Sequence, residues 1–354
     1  MKVFHLLSGE PYGGVERQVE RLVVVLEKDG ADQRVMLREN PARAQRLAAS
    51  GAIPIEMPFP GRFAFMDRRR INTAIRKFAP DVVISWTPDV APMVEKGPFV
   101  HVGRLGPEPD LTAFIQCDRL FTPSQARADA AANSGWPAER IKVLPHLPRL
   151  ESMGPEGDAL PPAARKTYYT PPTAKLVVTS LRLTRASGLE VLLDAIARLS
   201  GYYLWILGDG ADRTELEHLA HEKGVKPRVR FMGWQNDVTP FLAAADVFVS
   251  TARKEDVGDA VLEAWSMGAP VIAADSLGPG LLLRHQENGM LVPVGDVVSM
   301  AEAIKWICQD KALATRLGEA GRAAYNAAFT PAKITPEYLA YINGFAASPT
   351  LAAP

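Results

Sequence analysis

The sequence predicts an α/β protein made of two doubly wound domains with parallel sheets. Three observations predict it. Short apolar runs of strand length alternate with amphipathic segments of helical length through most of the chain, as parallel strands joined by crossover helices require. The alternation breaks once, over 146–172, where Pro145, Pro148, Pro155, Pro161, Pro162, Pro171 and Pro172 gather with Gly154 and Gly157. That stretch reads as an interdomain linker. A length of 354 residues also exceeds what one core ordinarily serves.

Before the linker, Val3–Leu7 is a buried strand and Val15–Lys28 carries apolar residues at helical spacing. Gln33–Arg38 is a strand, Ala42–Ser50 a helix and Ile53–Met57 a short strand. Arg68–Phe78 is a helix that stops before Pro80. Val82–Trp86, Phe99–Arg104 and Arg119–Thr122 are strands. Ser124–Asn133 is a helix capped by Ser124, and Ile141–Leu144 closes this half.

After the linker, Lys175–Leu181 is a strand and Gly188–Leu199 a helix. Tyr203–Leu207 is a strand that runs into Gly208-Asp209-Gly210, and Thr214–Lys223 is a helix. Arg228–Met232, Asp246–Ser250, Pro270–Ala273 and Met290–Val292 are strands. Asp237–Ala244, Gly258–Met267, Val297–Gln309 and Lys311–Asn326 are helices. Two such halves facing each other leave a cleft at the C-terminal ends of their strands, where ligands bind in sheets of this kind.

Composition narrows the function. Lys+Arg and Asp+Glu both number 40, for a formal net charge of zero, which argues against broad electrostatic binding of nucleic acid. A local basic face remains in Arg68-Arg69-Arg70 with Arg62, Arg76 and Lys77. It is either a solvated helix surface or a contact for anionic lipid headgroups. Cys117 and Cys308 give neither a disulfide framework nor metal-ligand spacing, so a reducing cytoplasm is the default. The N-terminal apolar run reads as a first strand rather than a signal peptide. No run of ~18 apolar residues is present to span a membrane.

The stretch richest in chemistry runs from Glu255 to Glu263. It reads as a strand end, an acidic loop and a helix opening near Gly258. A helix N-terminus offers unpaired N–H groups and suits a phosphate, whereas the two carboxylates suit the hydroxyls of a polyol beside it. A sugar joined to a diphosphate is the ligand this pattern suggests. Gly13 and Gly14 after the first strand allow close backbone approach, or form a plain strand-to-helix turn. The loop is not a dinucleotide-binding fingerprint. Arg182, at a strand end, can pair with phosphate oxygens, with Arg185 as a second cation, or the two are plain surface arginines. Gly208-Asp209-Gly210 is another strand-end turn, whose backbone groups can bind substrate at a nucleobase edge or form a plain turn. Gly233-Trp234, after the next strand, can hold a nucleobase edge or be a plain turn.

Taken in order, Gly13-Gly14-Val15-Glu16, Arg182, Gly208-Asp209-Gly210 and the Glu255…Glu263 pair resemble the retaining GT-B glycosyltransferases of the family-4 type, over nearly the whole chain. Ser134-Gly135-Trp136-Pro137, Val261-Leu262-Glu263-Ala264-Trp265 and Gly321-Arg322-Ala323-Ala324-Tyr325 resemble bacterial enzymes that build lipopolysaccharide core and related surface glycans. The resemblance implies two facing Rossmann-like domains: an acceptor domain over 1–165, and a nucleotide-sugar domain over 166–330. A helix at 331–345 would cross back to the first domain, and 346–354 would form a disordered tail.

The resemblance further implies that Glu263 holds the nucleotide ribose. Glu255 would contact the donor sugar and steady the oxocarbenium ion. N–H groups of Gly258, Asp259, Ala260 and Val261, with Gly14, would meet the diphosphate. Arg182 would offset the leaving-group charge, the expected main catalytic term. His101 stands near the position where the family often carries a histidine, inside a strand that ends at Arg104. The implied substrates are a nucleoside-diphosphate sugar and a saccharide or lipid-linked acceptor. The implied reaction needs no metal or cofactor, and the chain has no Asp-x-Asp motif. Two positions depart from the family pattern. Ser187 stands where a lysine is usual, and Asp256-Val257-Gly258-Asp259 replaces a common Pro-Phe-Gly-Asn. A catalytically silent GT-B protein that binds a nucleotide sugar or a partner enzyme is the alternative reading. A GT-B epimerase or phosphorylase and an oxidoreductase stand further off.

Overall fold

The computed structural model describes residues 1–9, 13–58, 64–106, 110–148, 161–255 and 257–346. The chain divides into two compact units, Met1–Leu147 with Pro331–Pro354, and Pro148–Thr330.

The first unit holds strands β1 (Lys2–Leu7), β2 (Asp32–Arg38), β3 (Ile53–Met57), β4 (Val82–Ser85), β5 (Val100–Arg104), β6 (Arg119–Thr122) and β7 (Ile141–Val143). They form one sheet of order β3-β2-β1-β4-β5-β6-β7, and every pairing is parallel. Helices α1 (Gly14–Lys28), α2 (Pro41–Ala49), α3 (Ala64–Phe78) and α4 (Gln125–Asn133) connect the strands. Coverage on both faces explains why β4 and β5 are buried at every position. Ser124 caps α4 through the Arg127 N–H, and Asn40 caps α2 through the Arg43 N–H.

The second unit holds β8 (Lys175–Ser180), α5 (Leu189–Ala197), β9 (Tyr202–Leu207), α6 (Arg213–Glu222), β10 (Val229–Phe231), α7 (Thr239–Ala244) and β11 (Val247–Ser250). It continues with α8 (Asp259–Ser266), β12 (Val271–Ala274), α9 (Leu277–Leu282), β13 (Met290–Val292), α10 (Val297–Gln309) and α11 (Lys311–Ala328). Its sheet runs β10-β9-β8-β11-β12-β13, again with every pairing parallel. One core cluster joins α5, α6 and α10 to the sheet, and another joins α7 and α8 to it.

The last helix, α12 (Pro331–Ala346), belongs to the first unit. Its Tyr338 hydroxyl donates to the Pro145 carbonyl at 3.0 Å, and Tyr341 donates to the Leu120 carbonyl at 3.3 Å.

Three expectations need adjustment. The first unit ends at Leu147 rather than 165. Gln18 grips both the N–H and the carbonyl of Leu147, whereas the Ala163 N–H bonds to Pro240 in the second unit. α3 opens at Ala64 rather than Arg68. The sequence reading gave no helix at α9, because its LGPGLL segment carries two glycines and a proline. Most of the tail expected to be disordered, 347–354, lies outside the described residues.

Candidate active site

Each sheet has one place where the strand order reverses, and in doubly wound sheets ligands bind at the strand C-terminal ends beside that place. In the second unit it lies between β8 and β11. The loops that leave those two strands carry Arg182 and Glu255. Fold topology alone therefore brings together the two motifs the sequence singled out.

The two loops are tied together. Thr251 Oγ1 donates to the Ser187 carbonyl at 2.8 Å, and the Arg253 N–H to the Ala186 carbonyl at 2.9 Å. Gly188 has φ +64°, and a Cβ there would stand 2.4 Å from the Thr251 carbonyl oxygen, so no larger residue fits this junction. Ser187 is buried, and its Oγ has no hydrogen-bond partner among the described residues.

The Gly208-Asp209-Gly210 turn supports the Arg182 loop from the other side. Cβ atoms at Gly208 and Gly210 would lie 1.9 Å from the Leu181 carbonyl oxygen and 2.3 Å from that of Leu183. The backbone on both sides of Arg182 thus rests against these glycines. Two N–H groups that the sequence reading offered to a nucleobase edge already have protein partners. The Gly208 N–H donates to Gly233, the Gly210 N–H donates to the Asp209 carboxylate, and Asp209 also pairs with Arg213 at 3.2 Å. Trp234, on the neighbouring turn after Gly233, is half-buried, and its indole N–H donates to Asn236 at 3.2 Å.

Arg182 and Arg185 are both exposed. Arg185 lines a surface groove of about 330 Å³ with Thr184, Glu190, Asp212, Glu215 and Arg253. Glu255, Glu263 and Arg182 are not in that set, and Arg253 is already paired with Glu190.

Glu255 is held at three points. Ser250 Oγ donates to its Oε2 at 3.2 Å, the Ala260 N–H donates to its carboxylate, and the Gly278 N–H of α9 donates to its carbonyl at 2.6 Å. The residue keeps some accessible surface, yet its carboxyl group sits deep among protein atoms. Desolvation first, then repulsion from Asp259 and to a lesser degree Glu263, raise its pKa to about 7 against the pull of Ser250 and Ala260. α8 begins after Gly258, which has φ +76°. A Cβ there would meet Leu282 Cδ1 of α9 at 2.5 Å. α9, absent from the sequence reading, therefore fixes both the Glu255 backbone and the start of α8.

The helix N-terminus is not fully open. Ala260 gives its N–H to Glu255, Val261 is buried, and Asp259 and Glu263 are half-buried one turn apart on α8. A diphosphate at this helix start would have to displace the Glu255 carboxylate from Ala260. Asp256 lies outside the described residues.

In the first unit, Gly13 is extended (φ 173°), accepts from the Arg17 N–H through its carbonyl, and hands over to Gly14, the first residue of α1. The site reading of His101 needs correction. The ring is 2% exposed, its Nε2 lies 2.8 Å from Ser85 Oγ, and burial lowers its pKa to about 4. It is a neutral core residue on the interior strand β5, between β4 and β6. Arg104, at the end of that strand, is also buried, with an Nη2 3.0 Å from His146 Nε2. Among the described residues, no group of three or more His, Cys, Asp or Glu side chains could hold a metal ion.

Comparison with known proteins follows this geometry. The family model for glycosyl transferases group 1 matches residues 162–324. Over 350 residues the chain is 36% identical to the lipopolysaccharide core biosynthesis glycosyltransferase LpsE of Rhizobium meliloti, covering 96% of this chain and 98% of that protein. It is 32% identical to LpsD of the same organism, covering 96% and 97%. Among solved structures, Anabaena HepE in complex with UDP and glucose superposes with a TM-score of 0.81 at 20% identity, covering 97% of this chain and all of that one. WaaG, a glycosyltransferase involved in lipopolysaccharide biosynthesis, superposes with a TM-score of 0.75 at 17% identity, covering 97% and 100%. With its two Rossmann-like units and end-to-end likeness to these relatives, the chain belongs to the group 1 glycosyl transferases of GT-B fold.

Proposed function

We propose that this glycosyltransferase moves a sugar from a nucleoside diphosphate to a saccharide or lipid-linked acceptor, with retained anomeric configuration, during assembly of a lipopolysaccharide core. The observation that carries the proposal is the meeting of the Arg182 loop with the Glu255–Glu263 segment at the strand-order reversal of the second unit. The names of the two relatives matched end to end supply the biosynthetic setting.

In this reading Glu263 holds the ribose and Gly233-Trp234 flanks the nucleobase. The start of α8 meets the diphosphate, with Arg182 offsetting its charge as the sugar leaves. Glu255 turns from Ala260 to the donor sugar when the diphosphate takes that N–H. No metal or cofactor takes part, since fixed donors and Arg182 supply the leaving-group stabilisation.

The test is a panel of UDP-, GDP- and ADP-sugars, scored for binding and for released nucleotide. One donor should bind and turn over, and Glu263→Ala should weaken its affinity by about tenfold or more through the lost charge-assisted hydrogen bonds. Tight binding without release from any donor would instead favour a silent nucleotide-sugar-binding protein. Unchanged affinity in Glu263→Ala would remove the ribose role.

The enzyme would work in the cytoplasm, with α3 against the membrane. Phe65 and Met66 are 71% and 42% exposed at the start of that helix, with Arg69, Arg70 and Lys77 exposed beyond them. Apolar side chains flanked by cations suit an anionic lipid surface. Among the described residues, no helix is long and apolar enough to cross a membrane. In a flotation assay the protein should rise with vesicles containing anionic lipid, and Arg69→Glu/Arg70→Glu should leave it in the pellet fraction. Equal flotation of both proteins would end this part of the proposal.

A further inference from the structure

The strand-order reversal of the first unit lies between β1 and β4. These strands pair in parallel from Val3 with Val82 to Leu6 with Ser85, and the Trp86 N–H continues the ladder onto the Leu6 carbonyl at 3.0 Å. Ser8 stands just beyond one strand and Thr87 just beyond the other. Ser8 is 5% exposed. Its Oγ donates to Asp89 Oδ1 at 2.7 Å and lies 2.9 Å from Thr87 Oγ1.

A hydroxyl has one proton to give. Ser8 gives its proton to Asp89, so the Thr87 hydroxyl must be the donor in the second bond. The chain of donation therefore runs from Thr87 to Ser8 to Asp89, each bond polarising the next. Two kinds of lone pair are left over. Asp89 is exposed, and Ser8 is the one donor to its carboxylate among the described residues. Thr87 has spent its proton and can only accept. The three side chains thus present acceptors and a negative charge, with no hydroxyl proton left to give. The cluster would repel a phosphate or a carboxylate. It would receive a ligand that brings several O–H donors close together.

We propose that Asp89, braced by Ser8 and Thr87, is an acceptor-binding residue that takes adjacent hydroxyl groups of a neutral sugar unit at the β1/β4 reversal of the first unit. The proposal rests on the glycosyltransferase reading above and adds the chemical class of the acceptor unit and the residues that select it. Asp89→Asn keeps the shape and the bond from Ser8, but replaces the free acceptor oxygen with a donor.

The experiment uses the full chain, the donor found in the panel, and a core oligosaccharide released from lipopolysaccharide of a strain lacking this gene. Asp89→Asn should raise KM for the oligosaccharide by about tenfold or more, as for a lost hydrogen bond to a charged group. KM for the donor, nucleotide release without acceptor and the melting temperature should stay as in the unaltered protein. Thr87→Val should move acceptor KM in the same direction. An unchanged acceptor KM in Asp89→Asn, or an equal rise in both KM values, overturns the proposal. Should the unaltered protein transfer to no oligosaccharide, the lipopolysaccharide reading fails separately. A titration of amide NMR signals with methyl glycosides bearing vicinal hydroxyls then decides. Shifts at Ser8, Thr87 and Asp89 that vanish in Asp89→Asn support the site, and no shift there overturns it.

Discussion

Glu255 is a buried carboxyl in the second unit whose charge its surroundings oppose. Its carboxyl titrates near 7 in the folded chain against 4.5 when unstrained, because burial and the neighbouring Asp259 oppose its charge. The native state therefore binds more protons than the unfolded state between those two values, and stability falls as pH rises through that window. Glu255→Gln should remove the loss, so its stability gain over the unaltered protein should grow from pH 5 to pH 8. The gain should be on the order of 1–3 kcal/mol once partial solvent access is allowed for. Urea melts at the two pH values measure it, and an equal gain at both would contradict the assignment. The same variant should lose sugar transfer. The sequence made the Glu255–Glu263 pair legible as a candidate ligand site. It did not reveal that Glu255 reaches back to cap the helix it precedes, since that depends on the fold of the intervening turn. Nor did it reveal that Arg185 shares a groove with Glu190 of α5, Asp212 just before α6 and Glu215 of α6.

Strands and helices were legible nearly throughout, because apolar periodicity reports which face each segment buries. α9 was the exception. Its Leu-Gly-Pro-Gly composition carries turn chemistry, and only packing against Gly258 and the bond from Gly278 to Glu255 explain its place. The glycines of the 208–210 turn invert the usual expectation. They are small because the backbone of the Arg182 loop touches them, and their own N–H groups are occupied. Gly208→Ala should cost about 2–4 kcal/mol, from a left-handed φ of +141° and a collision with the Leu181 carbonyl. Chemical denaturation measures the cost. If stability held while donor affinity dropped, the turn would be a ligand contact after all.

At the scale of the whole molecule, the first unit is completed by the end of the chain. Ile334, Tyr338 and Ile342 of α12 are each 2% exposed, and Tyr338 packs edge-on against Phe121 at 6.4 Å. Tyr338→Ala removes that ring and the bond to the Pro145 carbonyl, and should cost about 3–5 kcal/mol. Limited proteolysis should then cut within the first unit before the second. Simultaneous cutting of both would show that the helix does not belong to one unit alone.

The sequence by itself determined the class of fold and nearly every strand and helix. These follow from local patterning and from residue chemistry that a short stretch of chain carries with it. Tertiary structure decided what those residues touch. It buried His101 as a neutral ring on an interior strand, handed the Gly208 and Gly210 N–H groups to protein partners, and placed Ser8 beside Thr87 and Asp89, 79 and 81 positions away. The physical reason is that strand order, which no local pattern encodes, selects which loops share a crevice. The pair Glu255 and Glu263 was visible from spacing, whereas the partners that set the charge of Glu255 were not.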